Sequence, residues 1–387
     1  MMLRRRSLAL AAVAALGCAA CGSDSNPATS AASSSAGAGA GGGGAGGGAG
    51  GAGCPEGSHG DGGGCAATLS AWTEGPALTK PRDHHVTFAA TTPSGSFLYV
   101  AGGTNGLSIF DGVERSAIVQ DGTLGAFADG GKLPKGLAGA GLAQVDRSLV
   151  LVGGLAVSGA NAVSVTDTFV GAIGDDGSLA FTAGPPLLTS RYHVSLSADR
   201  GFVYAIGGLQ QSFDGGNLAQ KLIDAVERAP FDGTTLGDFT ALAPLPEPLT
   251  HQAAVVHDHA LYLIGGISST AARTDILRAT IDGAGDLGAW QPAGQLPEGR
   301  ATSAAFTFLD QVYVLCGSTK AMGGEVATVL RAPFQDDGTV GAFEELPPLP
   351  LARAHTHQAP LLDGVIYSAG GSLGTKFQGE VFLGHLD

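Results

Sequence analysis

Six times between Tyr99 and Gly371 the chain repeats nearly the same short phrase: Tyr99-Val-Ala-Gly102-Gly103, Val150-Leu-Val-Gly153-Gly154, Tyr204-Ala-Ile-Gly207-Gly208, Tyr262-Leu-Ile-Gly265-Gly266, Tyr313-Val-Leu-Cys316-Gly317 and Tyr367-Ser-Ala-Gly370-Gly371. The first glycine position, held by Cys316 in the fifth copy, advances by 51, 54, 58, 51 and 54 residues. A period of that size marks one supersecondary unit copied around a closed or stacked architecture, in which each copy buries its apolar faces only against its neighbours. Such a repeat constrains the scaffold strongly and the ligand hardly at all, because ligands are taken by loops that do not repeat.

The fourth unit shows what is copied. His251-Gln-Ala-Ala-Val-Val256 reads as a strand, His257-Asp258-His259 as a turn, and Ala260-Leu-Tyr-Leu-Ile-Gly265 as a second strand ending in the glycine pair. After a variable loop, Asp275-Ile-Leu-Arg-Ala-Thr-Ile281 is a third strand, the Asp282-Gly283 neighbourhood turns the chain, and Leu287-Gly-Ala-Trp290 is a fourth. Apolar and β-branched strands separated by Gly-rich turns predict a four-stranded antiparallel blade and not a helical repeat. The fourth-strand aromatic recurs as Trp72, Phe127, Phe181, Phe239, Trp290 and Phe343, and the preceding turn as Asp121-Gly122, Asp176-Gly177, Asp232-Gly233, Asp282-Gly283 and Asp337-Gly338. Asp-Gly is a hairpin signal because both turn positions accept positive φ. The second unit has Val150 for the tyrosine and few large side chains, which predicts a less well packed blade.

Glycine pairs, a tyrosine three residues before them and an aromatic on the last strand, all in register, resemble the kelch repeat over roughly Leu69 to Asp387. The resemblance implies an all-β, six-bladed kelch-type β-propeller, similar to the central domain of galactose oxidase, with four antiparallel strands per blade. The first aromatic strand, Leu69-Ser-Ala-Trp72, precedes any glycine pair, whereas the last unit stops after Glu380-Val-Phe-Leu383. The N-terminal strand is therefore expected to close the last blade, pinning the ends together and removing an exposed sheet edge. The expected organisation is an export signal over residues 1–20, a Gly/Ala/Ser-rich tether over 21–67 and a monomeric propeller over 68–387.

Arg4-Arg5-Arg6, the apolar run Leu8 to Gly17 and Cys18-Ala-Ala-Cys21 describe a signal, since about ten apolar residues are too few to span a bilayer. A cysteine at the cut, followed by Gly22-Ser23-Asp24, looks like the lipobox of bacterial lipoproteins, whose cysteine carries the lipid. Cys21 is the preferred anchor and Cys18 the alternative; neither has the usual leucine three places upstream, and an ordinary secretory signal is the other reading. The expected address is the bacterial cell envelope, at the outer membrane or surface and held through that N-terminal lipid only, or secretion if the cysteine is not lipidated. A Gly-rich coil of ~45 residues reaches roughly 35–40 Å, enough to hold a domain clear of a membrane. Cys54 and Cys65 flank a turn-rich loop and outside the cytoplasm are expected to form a local disulfide, a metal clip with His59 and Asp61 being the alternative. Cys316 is expected as a buried free thiol. A net charge of −14, made more negative by loss of the signal arginines, excludes nucleic acid as a partner because an acidic surface repels phosphate backbones.

A second recurrence stands at the entry to each first strand. Arg82, Arg191, Arg300 and Arg353 share one position, with Leu137 and Leu249 in the second and fourth units. Two residues later come His84, His193, His251 and His355, with an alanine and Thr302 in the remaining units. The first strand of a propeller is innermost, so these residues are expected to ring the central channel or its mouth. They are candidates for binding an anionic ligand, since guanidinium forks suit carboxylate and phosphate. The stronger reading, implied by the kelch resemblance, is hydrogen bonding within and between blades. No metal or cofactor is expected from the ring, because ligands spread across a channel should not converge within the ~2 Å that zinc coordination needs. His355 with His357, and His257 with His259, are local pairs that could each touch an ion, although exposed turn polarity explains them as well.

Copper-radical chemistry of the galactose oxidase type is not expected, because five of the six tyrosines belong to the blade motif. Sialidase chemistry is weakened by Asp-Gly turns that lack Asp-box spacing. A sugar-acid mutarotase of the N-acetylneuraminate epimerase type is the enzymatic alternative, needing little beyond an acid–base pair and arginines. No nucleophile–base set or phosphate-binding glycine loop occurs, since the glycine pairs end strands and do not open helices. The leading expectation is a non-enzymatic, surface-tethered propeller that binds a protein or glycan through Gly154–Val163, Leu209–Leu222 and Ser318–Gly324, the variable loops between second and third strands.

Overall fold

Period-2 alternation along the second strands organises the core. In Ala260–Ile264, Tyr262 and Ile264 point to the fifth blade and pack with Val312, Val314 and Leu330, whereas Leu261 and Leu263 point to the third and pack with Tyr204, Ile206 and Val226. The same division recurs around the molecule, so the core is a set of apolar seams between neighbouring blades. The computed structural model describes residues 58–60, 65–269 and 271–387; Cys18, Cys21 and Cys54 lie outside them. Among the described residues there is no helix, and six four-stranded antiparallel sheets form, each in the order first, second, third, fourth strand. The fourth blade consists of Ala253–His257, Ala260–Ile264, Asp275–Thr280 and Gln291–Gln295. First strands of neighbouring blades touch one another, which places them at the centre of the ring. The second blade is not loosely packed as expected: Leu149, Val150, Leu151 and Val152 are as buried as their counterparts.

The glycine pairs join the blades. In every unit the second member donates its N–H to the carbonyl at the entry of the next blade: Gly103 to Leu137, Gly154 to Arg191, Gly208 to Leu249, Gly266 to Arg300, Gly317 to Arg353 and Gly371 to Arg82, at 2.7–2.9 Å. Where the first member is glycine it has left-handed backbone and a Cβ would meet a neighbouring carbonyl oxygen; on Gly265 it would stand 2.1 Å from the Arg300 oxygen. Cys316 adopts the same backbone, φ 55°, and is buried as a free thiol, whose pKa burial pushes up to about 11.

Four of the motif tyrosines join the blades a second time, reaching a glycine carbonyl in the next blade's turn between third and fourth strands. Tyr99 donates to Gly177, Tyr204 to Gly285, Tyr262 to Gly338 and Tyr367 to Gly122, at 2.8–3.0 Å. The turns differ from the sequence expectation in one respect. Their aspartates do not take positive φ; Asp121, Asp176, Asp232, Asp282 and Asp337 instead accept the N–H two residues on, and in the fourth blade the left-handed residue is Gly285 and not Gly283.

The ring closes through the N-terminal segment. Thr73–Glu74 pairs with Val381–His385, and Leu69 bridges Leu386, so the closing strand starts one residue beyond Trp72. Trp72 Nε1 donates to the Pro347 carbonyl of the fifth blade at 2.8 Å. Upstream, Ser58–Gly60 pairs with Cys65–Ala67, and the Ala67 carbonyl accepts a bond from Arg331.

Candidate functional site

The ring-entry positions share an unusual backbone. His84, Gly139, His193, His251, Thr302 and His355 all have φ between 49° and 66°, the left-handed region that costs an ordinary residue ~1–2 kcal/mol. The second-blade member is Gly139, not an alanine. Main-chain bonds between blades hold this conformation: the N–H of His84 donates to the His355 carbonyl, Gly139 to His84, His193 to Gly139, Thr302 to His251 and His355 to Thr302, at 2.7–3.2 Å.

The imidazoles meet in the channel. His84 stacks on His355 with centroids 4.2 Å apart, His193 stacks on His251 at 3.7 Å, and the two pairs touch through His84 and His193 at 4.8 Å. His357 joins them, 5.3 Å from His193. Ring nitrogens of His84, His193 and His355 lie within 4.8 Å of one another, so the expectation that the channel holds the histidines too far apart to converge does not hold for these three. Burial, reinforced by the neighbouring imidazoles, lowers His193, His251 and His355 well below the usual value and His357 to about 3. These four rings are neutral at pH 7.

The arginines lie elsewhere. Arg82, Arg191, Arg300 and Arg353 are 0–2% exposed and serve the blade interior. Arg82 donates to the Gly102 carbonyl at 2.9 Å and pairs with Glu114; Arg191 donates to Ala225 at 2.9 Å and pairs with Glu227. Arg300 binds the Cys316 carbonyl and Thr328 Oγ1, and Arg353 the Ser368 and Glu380 carbonyls. The two glutamates also accept amides of the loop entering each blade, Thr79 and Lys80 for Glu114, Leu188 and Thr189 for Glu227. The repeated Val113-Glu114-Arg115 and Val226-Glu227-Arg228 could have revealed these partners. Sequence adjacency of arginine and histidine thus separates in space: the imidazoles line the channel and the guanidiniums clamp the blades.

Above the imidazoles the channel opens into a funnel of about 220 Å³. Asp83, His84, His193, His251 and His355 form its floor, and loops between second and third strands form its wall. Two of the expected loops contribute, through Gln220 and Leu222 of the Leu209–Leu222 hairpin and through Met322 and Glu325 of the fifth blade; Phe377 of the sixth blade completes the rim. The Gly154–Val163 loop is a hairpin, Leu155–Ser158 with Asn161–Ser164, that does not line the funnel but supports the third-blade hairpin through Ser164 and Gln211. No lysine or arginine is among the lining residues. His257 and His259 stand outside this cluster and turn to different neighbours: His257 stacks on Phe334, and His259 Nδ1 lies 3.0 Å from Asp199. Asp83 was missed because it stands in one unit only, whereas His357, also in one unit only, was expected solely as the local partner of His355.

No protein-family model matches the chain. Human Kelch-like protein 38 is 26% identical over 152 residues, 39% of this chain, and its mouse counterpart 27% identical over 153 residues. The chain spans about a quarter, 24%, of the length of these curated relatives. The solved structure of YjhT superposes with a TM-score of 0.60 over 79% of this chain and 95% of that one at 13% identity, which is a likeness of fold. Six closed blades, seams made by the repeated tyrosine and glycine pair, and this likeness to kelch proteins make the fold a six-bladed β-propeller of the kelch type.

Proposed function

We propose that the protein is a binding module whose channel mouth receives an uncharged or cationic group projecting from a glycan or protein ligand. The observation that carries this reading is the composition of the funnel. Non-repeating loops place Leu222, Met322 and Phe377 beside Gln220, Thr250 and Glu325, over a ring whose arginines are all engaged inside blades. Apolar surface with a few convergent polar groups is what small-group recognition requires, and acidic Asp83 and Glu325 disfavour an anion. Glycan and peptide arrays test it: binding lost in Phe377→Ala and kept in Val119→Ala, on the opposite face, is the expected result. Binding indifferent to funnel substitutions would overturn it. The sugar-acid mutarotase reading loses support because the guanidiniums it needs do not reach the funnel; acceleration of sialic acid anomer exchange in an NMR assay would restore it.

The same proposal includes an address. Cys21 carries a lipid and the Gly-rich segment holds the ring away from the envelope, supported by the signal-like composition of residues 1–20. Labelled lipid incorporation should be lost in Cys21→Ser and kept in Cys18→Ser, and the reverse result would move the anchor.

A further inference from the structure

The funnel floor holds groups that ligand recognition by the walls does not use. His84, His193 and His355 each offer a ring nitrogen within 4.8 Å of the others. Three points at that spacing lie about 2.8 Å from their common centre, against ~2.0–2.1 Å for a zinc–imidazole bond, so side-chain movements under about 1 Å bring all three onto one ion. Their surroundings favour a cation independently of this geometry. Both ring nitrogens of buried His193, and Nδ1 of His84, lack hydrogen-bond partners. The buried Asp83 carboxylate has Oδ1 2.7 Å from His84 Nδ1 without hydrogen-bond geometry and Oδ2 4.0 Å from His355 Nδ1, and these imidazoles are its ion-pair contacts among the described residues. Buried carboxylates are paired or sit beside metals.

We propose that the channel floor is a site for one divalent ion of the zinc class, ligated by His84, His193 and His355, with Asp83 behind the imidazoles and the fourth coordination position open to the funnel. His251, stacked on His193, and His357 brace the rings. An ion there would hold a water or a ligand atom alike, so the proposal stands apart from the binding reading.

The test uses the full chain with Cys18, Cys21, Cys54 and Cys65 replaced by serine, so that N-terminal thiols hold no metal. After chelator treatment, calorimetric titration with Zn²⁺ should give one ion per chain, and Co²⁺ should give the visible bands of a four-coordinate site. His193→Asn and His355→Asn, chosen because asparagine tolerates left-handed backbone, should weaken Zn²⁺ at least ~100-fold, while His257→Asn leaves it unchanged. Zinc-edge X-ray absorption on the protein with its histidines intact should show imidazole nitrogens, a reading that survives if a variant fails to fold. Absence of stoichiometric zinc, a shell without imidazole, or folded triad variants that retain the ion would each overturn the proposal.

Discussion

Replacing Gly265 by alanine tests whether the glycine pairs exist to let blades meet. Left-handed backbone, φ 61° here, costs alanine ~1–2 kcal/mol. The new Cβ would lie 2.1 Å from the Arg300 carbonyl oxygen, an overlap relieved only by moving the fifth blade from the fourth. That movement disturbs the 2.7 Å bond from Gly266 to Arg300, worth about 1 kcal/mol, and overpacks a seam at ~1–3 kcal/mol. The sum is roughly 3–6 kcal/mol. Gly216, φ 86° with nothing within 4 Å of a built Cβ, is the control and should cost only the backbone term, ~1–2 kcal/mol. At about 2 °C per kcal/mol for a domain of this size, melting should fall by roughly 6–12 °C against roughly 2–4 °C, with denaturant midpoints in the same order. Cys316→Gly should stay within about 1 kcal/mol, since relief of left-handed strain offsets loss of a small buried side chain. If Gly265→Ala costs no more than Gly216→Ala, the seams do not depend on close approach and the account of the repeat fails.

Arg191→Ala should lose about 3–5 kcal/mol in urea denaturation, because it strands buried Glu227 with only the Leu188 and Thr189 amides; a loss under about 1 kcal/mol would contradict the clamp. Tyr204→Phe should cost about 1 kcal/mol by removing the bond to the Gly285 carbonyl, measured in the same assay, and a neutral result would show that this seam contact carries no net stability. Metal-free protein should lose stability as pH falls below about 6.5: His193, His251, His355 and His357 have folded pKa values below the unfolded value, so the unfolded chain binds more protons there, by up to about 1.4 kcal/mol per pH unit for each imidazole. The loss continues toward about 3, where folded His357 titrates; a flat urea midpoint between pH 7.5 and 5 would refute it. Below pH 3.8 the turn aspartates add to this fall, since hydrogen bonds from Thr123 hold Asp121, and those from Thr235 and Thr234 hold Asp232, below that value, and Asp232→Asn should remove its own share.

The frame was legible because repetition does not need tertiary knowledge. Five glycine pairs and Cys316-Gly317 in register fix the number of blades, and an orphan strand before the first pair, with a short last unit, is enough to infer closure by the N-terminal segment, which was expected at Leu69–Trp72 and pairs as Thr73–Glu74. Partnerships were not legible. Tyr99 and Gly177 are 78 residues apart and Tyr204 and Gly285 81, so two marks that each repeat within a unit bond only across a seam. Arg191 and Glu227 are 36 apart within one blade, and there the repeated Val-Glu-Arg offered a signal that counting glycines passed over.

The histidines show a different limit. Four of them at one register predict a ring, yet the size of that ring depends on backbone conformation that composition does not report. Each ring-entry residue turns left-handed and is bonded to its neighbour around the centre, so the six first strands enter the channel close together. A residue there has its side chain over the axis, where His193 and His251 stack at 3.7 Å. Gly139 and Thr302 occupy the two equivalent positions without imidazoles, and their small size leaves the axis to the stacked pairs His84–His355 and His193–His251 that flank them. The units that break the histidine pattern are therefore part of what lets the remaining histidines converge, and His→Asn exchange at the ring separates the two contributions: it keeps the left-handed backbone while removing the ligand atom. Loss of zinc without loss of fold in those variants would show that the ring was built by the main chain and only its chemistry by the side chains.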